Sequence, residues 1–330
     1  MRIYGIDLAM EKFDVSYLDK KGNEKHLIVN NKLGAISRFL KQLPRESCLC
    51  AEHTGVYGNL LVFICNQLGI PISLTSGYNI KHSLGLQKGK SDKLDAKRIR
   101  EYGERFSDKL EYIEYASNTL HELNELYVLR AQLIKERKML ETQQKANKHN
   151  PYNSISAHYR AKKVMMMFNE SISEIEDEIM QLVESDKELK YSFDLSTSVK
   201  GIGPITTCDL IIKTGNFKKI DTAKKAASYS GVCPFPNSTG KMVKKDRVSH
   251  MSDKDLKTLL HLCARSAIQY NKEYKLYYQK KKLEGKPYYL ILNNVSNKLL
   301  RTIYSIINSG NSYDPNYICI DPRNNEKNTA

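Results

Sequence analysis

Long hydrophobic runs are missing from this chain of 330 residues. No stretch approaches the roughly 20 apolar residues that cross a bilayer, so a helical membrane protein is excluded and no membrane partner is expected. Paired cysteines are missing as well. Cys48, Cys50, Cys65, Cys208, Cys233, Cys263 and Cys319 are scattered, and none forms a CxxC pair. A disulfide framework and a zinc site of that spacing therefore lose their basis, and the thiols read as small buried groups in a reducing compartment. The first ten residues, MRIYGIDLAM, carry Asp7 and lack a small-residue cleavage site, so they do not read as a secretory signal, and a cytoplasmic location is expected. No tandem repeat is evident, and tryptophan is absent.

What is present is positive charge. Lysine and arginine number 52 against 37 acidic residues, a net charge of +15. That excess points to a polyanionic partner, nucleic acid before membrane surface. With no tryptophan, stacking on unpaired bases falls to Tyr and Phe. The hydrophobic fraction of 41 % is ordinary for a folded protein and excludes a disordered chain. The length suits about two domains with separate cores.

Residues 1–112 alternate strand and helix signals. Short β-type runs fall at Arg2–Leu8, Asp14–Leu18 and Lys25–Asn30, close enough for an antiparallel meander. Helical spacing over Leu33–Leu43 follows, then a strand at Ser47–Glu52, a helix at Leu60–Leu68, a strand at Ile70–Thr75 and a helix at Asp92–Phe106. That order predicts an α/β fold of the RNase H-like class. Residues 113–192 read as two long amphipathic helices, with Leu126, Leu129, Leu133 and Leu140 on one and Ile172, Ile175, Ile179 and Leu182 on the other. Pro151 lies in the link, so the segment is a helical hairpin or coiled-coil arm. Residues 193–310 read as mostly helical, with Gly231–Arg247 as a loop, and 311–330 as a polar tail.

Four carboxylates carry the chemistry. Asp7 lies within an apolar strand, Glu52 ends a later strand, and Asp92 and Asp95 open a helix three residues apart, on one face. Taken singly, Asp92 has a role as a helix cap, Asp95 as a helix-start residue and Glu52 as a turn carboxylate. Asp7 has no such local role, because a carboxylate among apolar residues is costly unless compensated. Mg²⁺ compensates oxygen donors of this kind, and two such ions about 4 Å apart activate a nucleophile and stabilise a leaving oxygen of a phosphodiester. Lys88, Lys90, Lys93, Lys97 and Arg98 crowd the same stretch as candidate backbone contacts to nucleic acid. In Val199–Pro204, Lys200, Gly201 and Gly203 form either a phosphate-binding turn at a helix start or a plain interhelical turn. A third group joins Ser238 and Thr239 to Gly240, followed by Lys241, Lys244, Lys245 and Arg247. A hydroxyl flanked by cations suits attack on phosphate, and a Ser-Thr-Gly turn is also a common turn.

Gly5-Ile6-Asp7, Ala51–Tyr57 and Lys90–Ala96 resemble the catalytic blocks of the DEDD transposases of the insertion-sequence 110 group, relatives of Piv-type DNA invertases. Ser198–Gly203, Ala226–Pro234, Asn237–Gly240 and Arg247–His250 resemble the C-terminal domain of that group, in the same order. The resemblance implies a RuvC-like domain with Asp7, Glu52, Asp92 and Asp95 as metal ligands. It implies a coiled-coil arm and a C-terminal domain supplying a serine nucleophile. It also implies recombination of target and donor DNA guided by a structured RNA, the bridge RNA. The group has Ser directly before the loop glycine. Here Thr239 holds that place, with Ser238 one earlier. Ser238 is the assigned nucleophile; the alternatives are attack by Thr239 or a copy impaired at this step. Holding two duplexes calls for a homo-oligomer, dimer or tetramer. The competing readings are a RuvC-type junction nuclease that cuts by water attack, and a non-catalytic nucleic-acid scaffold.

Overall fold

The structure, a computed structural model, describes residues 2–83, 85, 89–113, 117–152, 154–239 and 242–316, with only the backbone for 236–239 and 242–247. The chain forms two compact units, residues 1–116 and 117–330.

In the first unit, five strands make one mixed sheet: β1 (Arg2–Leu8), β2 (Lys12–Leu18), β3 (Glu24–Asn30), β4 (Ser47–Glu52) and β5 (Ile72–Thr75). Their order is β3-β2-β1-β4-β5. The first three form the expected antiparallel meander, and β4 and β5 run parallel to β1. Strand alternation sorts β1 onto two faces. Tyr4, Ile6 and Leu8 join Phe13, Val15, Ile36, Leu40 and Leu61 in a core that α1 (Leu33–Lys41) and α2 (Asn59–Gln67) cover. Ile3, with Cys48 and Cys50, packs on the opposite side against Ile80 of α3 (Gly77–Ser83) and Ile99 of α4 (Asp92–Arg105). Each such side chain removed from water contributes roughly 1.5–3 kcal/mol. The arrangement is the α/β architecture expected, and it fits an RNase H-like fold.

Among its described residues, the second unit is helical apart from one ribbon. Two helices of about thirty residues, α5 (Asn118–Asn147) and α6 (Ile155–Ser185), run antiparallel. Contacts climb one as they descend the other: Arg130 with Glu176, Arg137 with Asn169, and Gln144 with His158. Asp186 then accepts from the amides of Glu188 and Leu189, capping a separate helix, α7 (Lys187–Thr197). The rest is α8 (Pro204–Thr214), α9 (Ala223–Tyr229), strands β6 (Phe235–Thr239) and β7 (Met242–Arg247), α10 (Lys254–Tyr270), α11 (Lys272–Leu283) and α12 (Tyr288–Ser309). Helix α12 is the spine, with Ile291, Leu292, Val295, Leu299, Leu300 and Ile303 all buried.

One expectation needs correcting. Gly231–Arg247 is not an open loop, because β6 and β7 pair antiparallel within it. Pro234 and Pro236 suggested otherwise, since proline lacks the N–H a ladder needs. A two-stranded ribbon has only edge strands, and the register shifts between Phe235 and Asn237, at Pro236.

Candidate metal and nucleic-acid site

One glycine lets α4 lie close on β1. A Cβ built on Gly5 would lie 2.2 Å from the amide nitrogen of Arg100 and 2.3 Å from the carbonyl oxygen of Ala96. No other residue lets the backbone of α4 lie so close on β1. Further along, Gly103 sits over Ile3 and Cys50. As β1 rises from Ile3 to Gly5, α4 therefore descends from Gly103 to Ala96. One more turn brings Asp92 and Asp95 to the end of the sheet that carries Asp7.

Strand register adds the others. Parallel pairing of Ile6 with Ala51 sets Glu52 beside Asp7, at the carboxyl ends of two neighbouring strands. Open α/β sheets bind their ligands at that end. Gly5, Asp7, Cys50 and Glu52 share the face that α4 covers, because alternation puts them with Ile3 and Cys48. Antiparallel pairing also puts Asp14 opposite Asp7. Asp14 is buried and lies 2.5 Å from Nε2 of His26. Sequence reasoning passed over Asp14; its signal is the period-two match across the first hairpin.

Electrostatics reflects this crowding. Burial, then the charges of Asp95, Glu52, Asp92 and Asp14, push the Asp7 carboxyl up from 3.8 to about 6. Asp7 is thus a half-buried acid whose neighbours of like charge oppose its ionisation. A proton or a cation relieves that, and an all-oxygen donor set suits a hard cation. The side chains are not closed into a cage: among the described residues no three His, Cys, Asp or Glu groups stand close enough to hold an ion. Oδ1 of Asp95 accepts from Arg98 at 2.8 Å, and the Glu52 carboxylate lies against Gly77. Ser91, not Asp92, caps α4, its hydroxyl accepting from the amide of Leu94. That leaves Asp92 exposed and without a capping duty.

The basic candidates divide. Lys90 and Lys93 are exposed. Lys97 pairs with Glu24 at 2.7 Å, and Arg98 pairs with Asp95 and donates to the carbonyl of Gly89. Lys88 lies outside the described residues. In the second unit Lys200 is exposed, and Gly203 is the N-cap of α8. Gly201 has φ of +109°, and a Cβ there would lie 2.8 Å from the backbone of Ala267, so packing of α10 accounts for this glycine. Lys241 lies outside the described residues, as do the side chains of Ser238, Thr239, Lys244, Lys245 and Arg247, whose backbone forms the ribbon.

The feet of that ribbon are pinned. The amide of Asp253 donates to the carbonyl of Tyr229 at 2.8 Å, tying the start of α10 to the end of α9. The Tyr229 hydroxyl donates to Oδ2 of Asp253, and Lys213 bridges Asp253 at 2.9 Å and Asp209 at 3.0 Å. Asp209 is wholly buried. Burial pushes its carboxyl up against the pull of Lys213. Burial also opposes the charge of Lys213, but Asp209 and Asp253 outweigh it and hold the amine above its ordinary value.

Family comparisons match both units. The model DEDD_Tnp_IS110, described as "Transposase", covers residues 4–147, and Transposase_20, described as "Transposase IS116/IS110/IS902 family", covers residues 194–279. The pilin gene-inverting protein of Moraxella lacunata is 25 % identical over 325 residues, covering 94 % of this chain and 97 % of its own. A probable family 20 transposase of Pseudomonas aeruginosa is 22 % identical, covering 94 % and 98 %. The transposase for insertion sequence element IS1328 of Yersinia enterocolitica is 24 % identical, covering 81 % and 84 %.

Proposed function

The chain belongs to the IS110 group of DEDD transposases and is a DNA transposase/recombinase, and from that premise we propose how its residues divide the work. Asp7, Glu52, Asp92 and Asp95 would hold Mg²⁺ near a scissile phosphate. The observation that carries this reading is the descent of α4 along Gly5, which draws Asp92 and Asp95 toward Asp7 and Glu52. When bound, the ion supplies Lewis-acid polarisation of a phosphoryl oxygen. The carboxylates orient the phosphate, and Arg98, which pairs with Asp95, stands beside them as a further contact for the nucleic-acid backbone. Lys88, Lys90, Lys93 and Lys97 hold the same backbone nearby.

The hydroxyl of Ser238, from the same or a neighbouring subunit, attacks the phosphorus, with Thr239 as the alternative. A bond forms from its oxygen to phosphorus, and the bond from phosphorus to the leaving sugar oxygen breaks. The serine proton is lost to solvent, and the sugar oxygen takes one up. Lys200, Gly201, Gly203, Lys241, Lys244, Lys245 and Arg247 hold the strand at this second unit. The covalent link preserves the bond energy for resealing after exchange, so DNA segments are inserted or inverted. A structured bridge RNA pairs with target and donor DNA. The arm at 113–192, with α5 and α6 as a coiled coil, joins copies into a dimer or tetramer. An open groove of about 1,200 Å³ along α5, lined by Val128, Ala131, Leu140 and Ala146, supports that. A cytoplasmic location belongs to the same reading. Separately, among the described residues no helix is long and apolar enough to cross a membrane.

The test is an adduct. Donor and target duplexes with Mg²⁺ and the flanking RNA, quenched in denaturant, give a protein–DNA species that Asp7→Asn and Ser238→Ala both abolish. Loss in Thr239→Ala alone assigns the threonine instead. Release of a free 5′ phosphate with both hydroxyl variants active overturns the covalent step in favour of a junction nuclease. Wild-type recombination by Asp7→Asn makes the carboxylates structural and leaves a nucleic-acid scaffold.

A further inference from the structure

The second unit carries an aromatic and basic surface that neither catalytic group uses. Helix α12 begins with Tyr288 and Tyr289, which are 44 % and 74 % exposed. Two tyrosine rings facing water at one helix end leave apolar surface unburied that a partner can cover. The rings are braced. Tyr288 meets Tyr289 edge-on at 5.5 Å and Tyr278 of α11 edge-on at 6.3 Å. Beside them is a cleft of about 330 Å³, lined by His261, Leu262 and Arg265 of α10 with Tyr288, Tyr289 and Leu292 of α12. That is the lower end of the range for small-ligand pockets, roughly 300–1,000 Å³.

The segment that adjoins the cleft is strongly positive, and Arg265 lies in the cleft's lining. Between Lys272 and Lys298 there are seven lysines and two glutamates. Lys281 pairs with Glu284, while Lys280, Lys282, Lys286 and Arg265 make no ion pair among the described residues. Lys281 and Lys298 also lie over the ring of Tyr277, at 5.9 and 4.7 Å. Helix α12 has neither a side-chain cap nor an acidic residue in its first turn, so its positive end adds to the same field. Inside the cleft, Asn293 hydrogen-bonds the His261 side chain, while Nε2 of that ring is buried with no partner among the described residues. A polar ring edge would satisfy it.

We propose that this cleft and the basic segment beside it bind an unpaired DNA strand, with a base stacked at Tyr288–Tyr289 and phosphates on Arg265 and on lysines of α11 and the link to α12. Aromatic platforms inside a basic groove bind single strands, because every base has a π-face and the backbone is a polyanion. A duplex hides those faces in its own stack, so the site discriminates by strandedness. DNA is the strand because the enzyme acts on DNA, and exchange between two duplexes passes through unpaired segments; to that extent the inference rests on the recombinase reading. The surface holds a strand clear of re-pairing.

The test uses the full-length protein and a DNA oligomer carrying one 2-aminopurine, whose emission drops when it stacks. Wild type is expected to quench it and to bind the single strand more tightly than a duplex of equal length. Tyr289→Ala lowers single-strand affinity roughly 5- to 100-fold and abolishes quenching. Tyr289→Phe, which keeps the ring, restores both. Arg265→Ala weakens single-strand binding and its salt dependence without removing the quenching. Equal losses on single strand and duplex, unchanged binding in Tyr289→Ala, or tighter and more Tyr289-dependent binding of an RNA of the same sequence each overturn the proposal. The recombinase reading fails separately: if no adduct forms but Tyr289-dependent quenching persists, the strand site stands and the catalytic assignment falls.

Discussion

Replacing Asp7 by asparagine should stabilise the protein while ending its activity. In the folded chain the carboxyl ionises at about 6 rather than at 3.8, because burial and then Asp95, Glu52 and Asp92 oppose its charge. At about 1.36 kcal/mol for each pH unit, the full difference is about 3 kcal/mol. Water around a half-buried group screens part of it, which leaves roughly 1–2 kcal/mol. The direction in pH follows from linkage. Below 3.8 both folded and unfolded chains hold the proton, and nothing is lost. Between 3.8 and about 6 the unfolded chain releases it first, so wild-type stability falls as pH rises. Above about 6 the penalty is complete. Asparagine cannot ionise and escapes it. Urea unfolding followed by circular dichroism, without divalent ions, should show Asp7→Asn more stable by roughly 1–2 kcal/mol at pH 8, and by less than about half of that at pH 4.5. Added Mg²⁺ should raise the stability of the wild type by binding the folded form, and close the gap. If Asp7→Asn is destabilised at pH 8, or its advantage does not shrink on acidification, the clustered carboxylates do not repel as argued.

Other changes test other parts. Gly5→Ala drives a Cβ into the backbone of Ala96 and Arg100, and should cost about 3 kcal/mol or more by urea unfolding while displacing the first turn of α4. Lys213→Met strands the buried Asp209 carboxylate and should cost about 3–5 kcal/mol in denaturation at neutral pH. The double change Lys213→Met with Asp209→Leu should recover much of it, whereas no recovery would show that Asp209 is held by other groups. Val128→Glu with Met139→Glu places charges along the α5 groove and should shift the sedimentation coefficient toward the monomer, with little change in circular dichroism.

The residues themselves show why some features were legible and others were not. Asp7 was visible because an ionisable group within an apolar strand has no local excuse, and the strands around it alternate plainly. Gly5 read only as part of a motif, since its true reason is a helix ninety residues away resting on the strand. Asp92 was offered a capping role that Ser91 fills, one residue earlier. Lys97 and Arg98 were grouped with the phosphate-binding lysines by sequence proximity; their partners, Glu24 across the sheet and Asp95 one turn back, appear only in three dimensions. Prolines hid the ribbon at β6 and β7 because the rule against proline in strands weakens when both strands are edges. The tyrosine surface escaped notice because Tyr288 and Tyr289 sit in a helix whose other face is core, and exposure is not written in periodicity alone.

Whether the four carboxylates share an ion, as proposed, is tested directly by replacing Mg²⁺ with Fe²⁺ and adding ascorbate and peroxide. Radicals made at a bound iron cut only nearby backbone. Cuts should fall together near Asp7, near Glu52 and near Asp92–Asp95, with Mg²⁺ competing them away and Asp7→Asn removing all three. Cutting at one of these places alone, or at none, would contradict a shared ion.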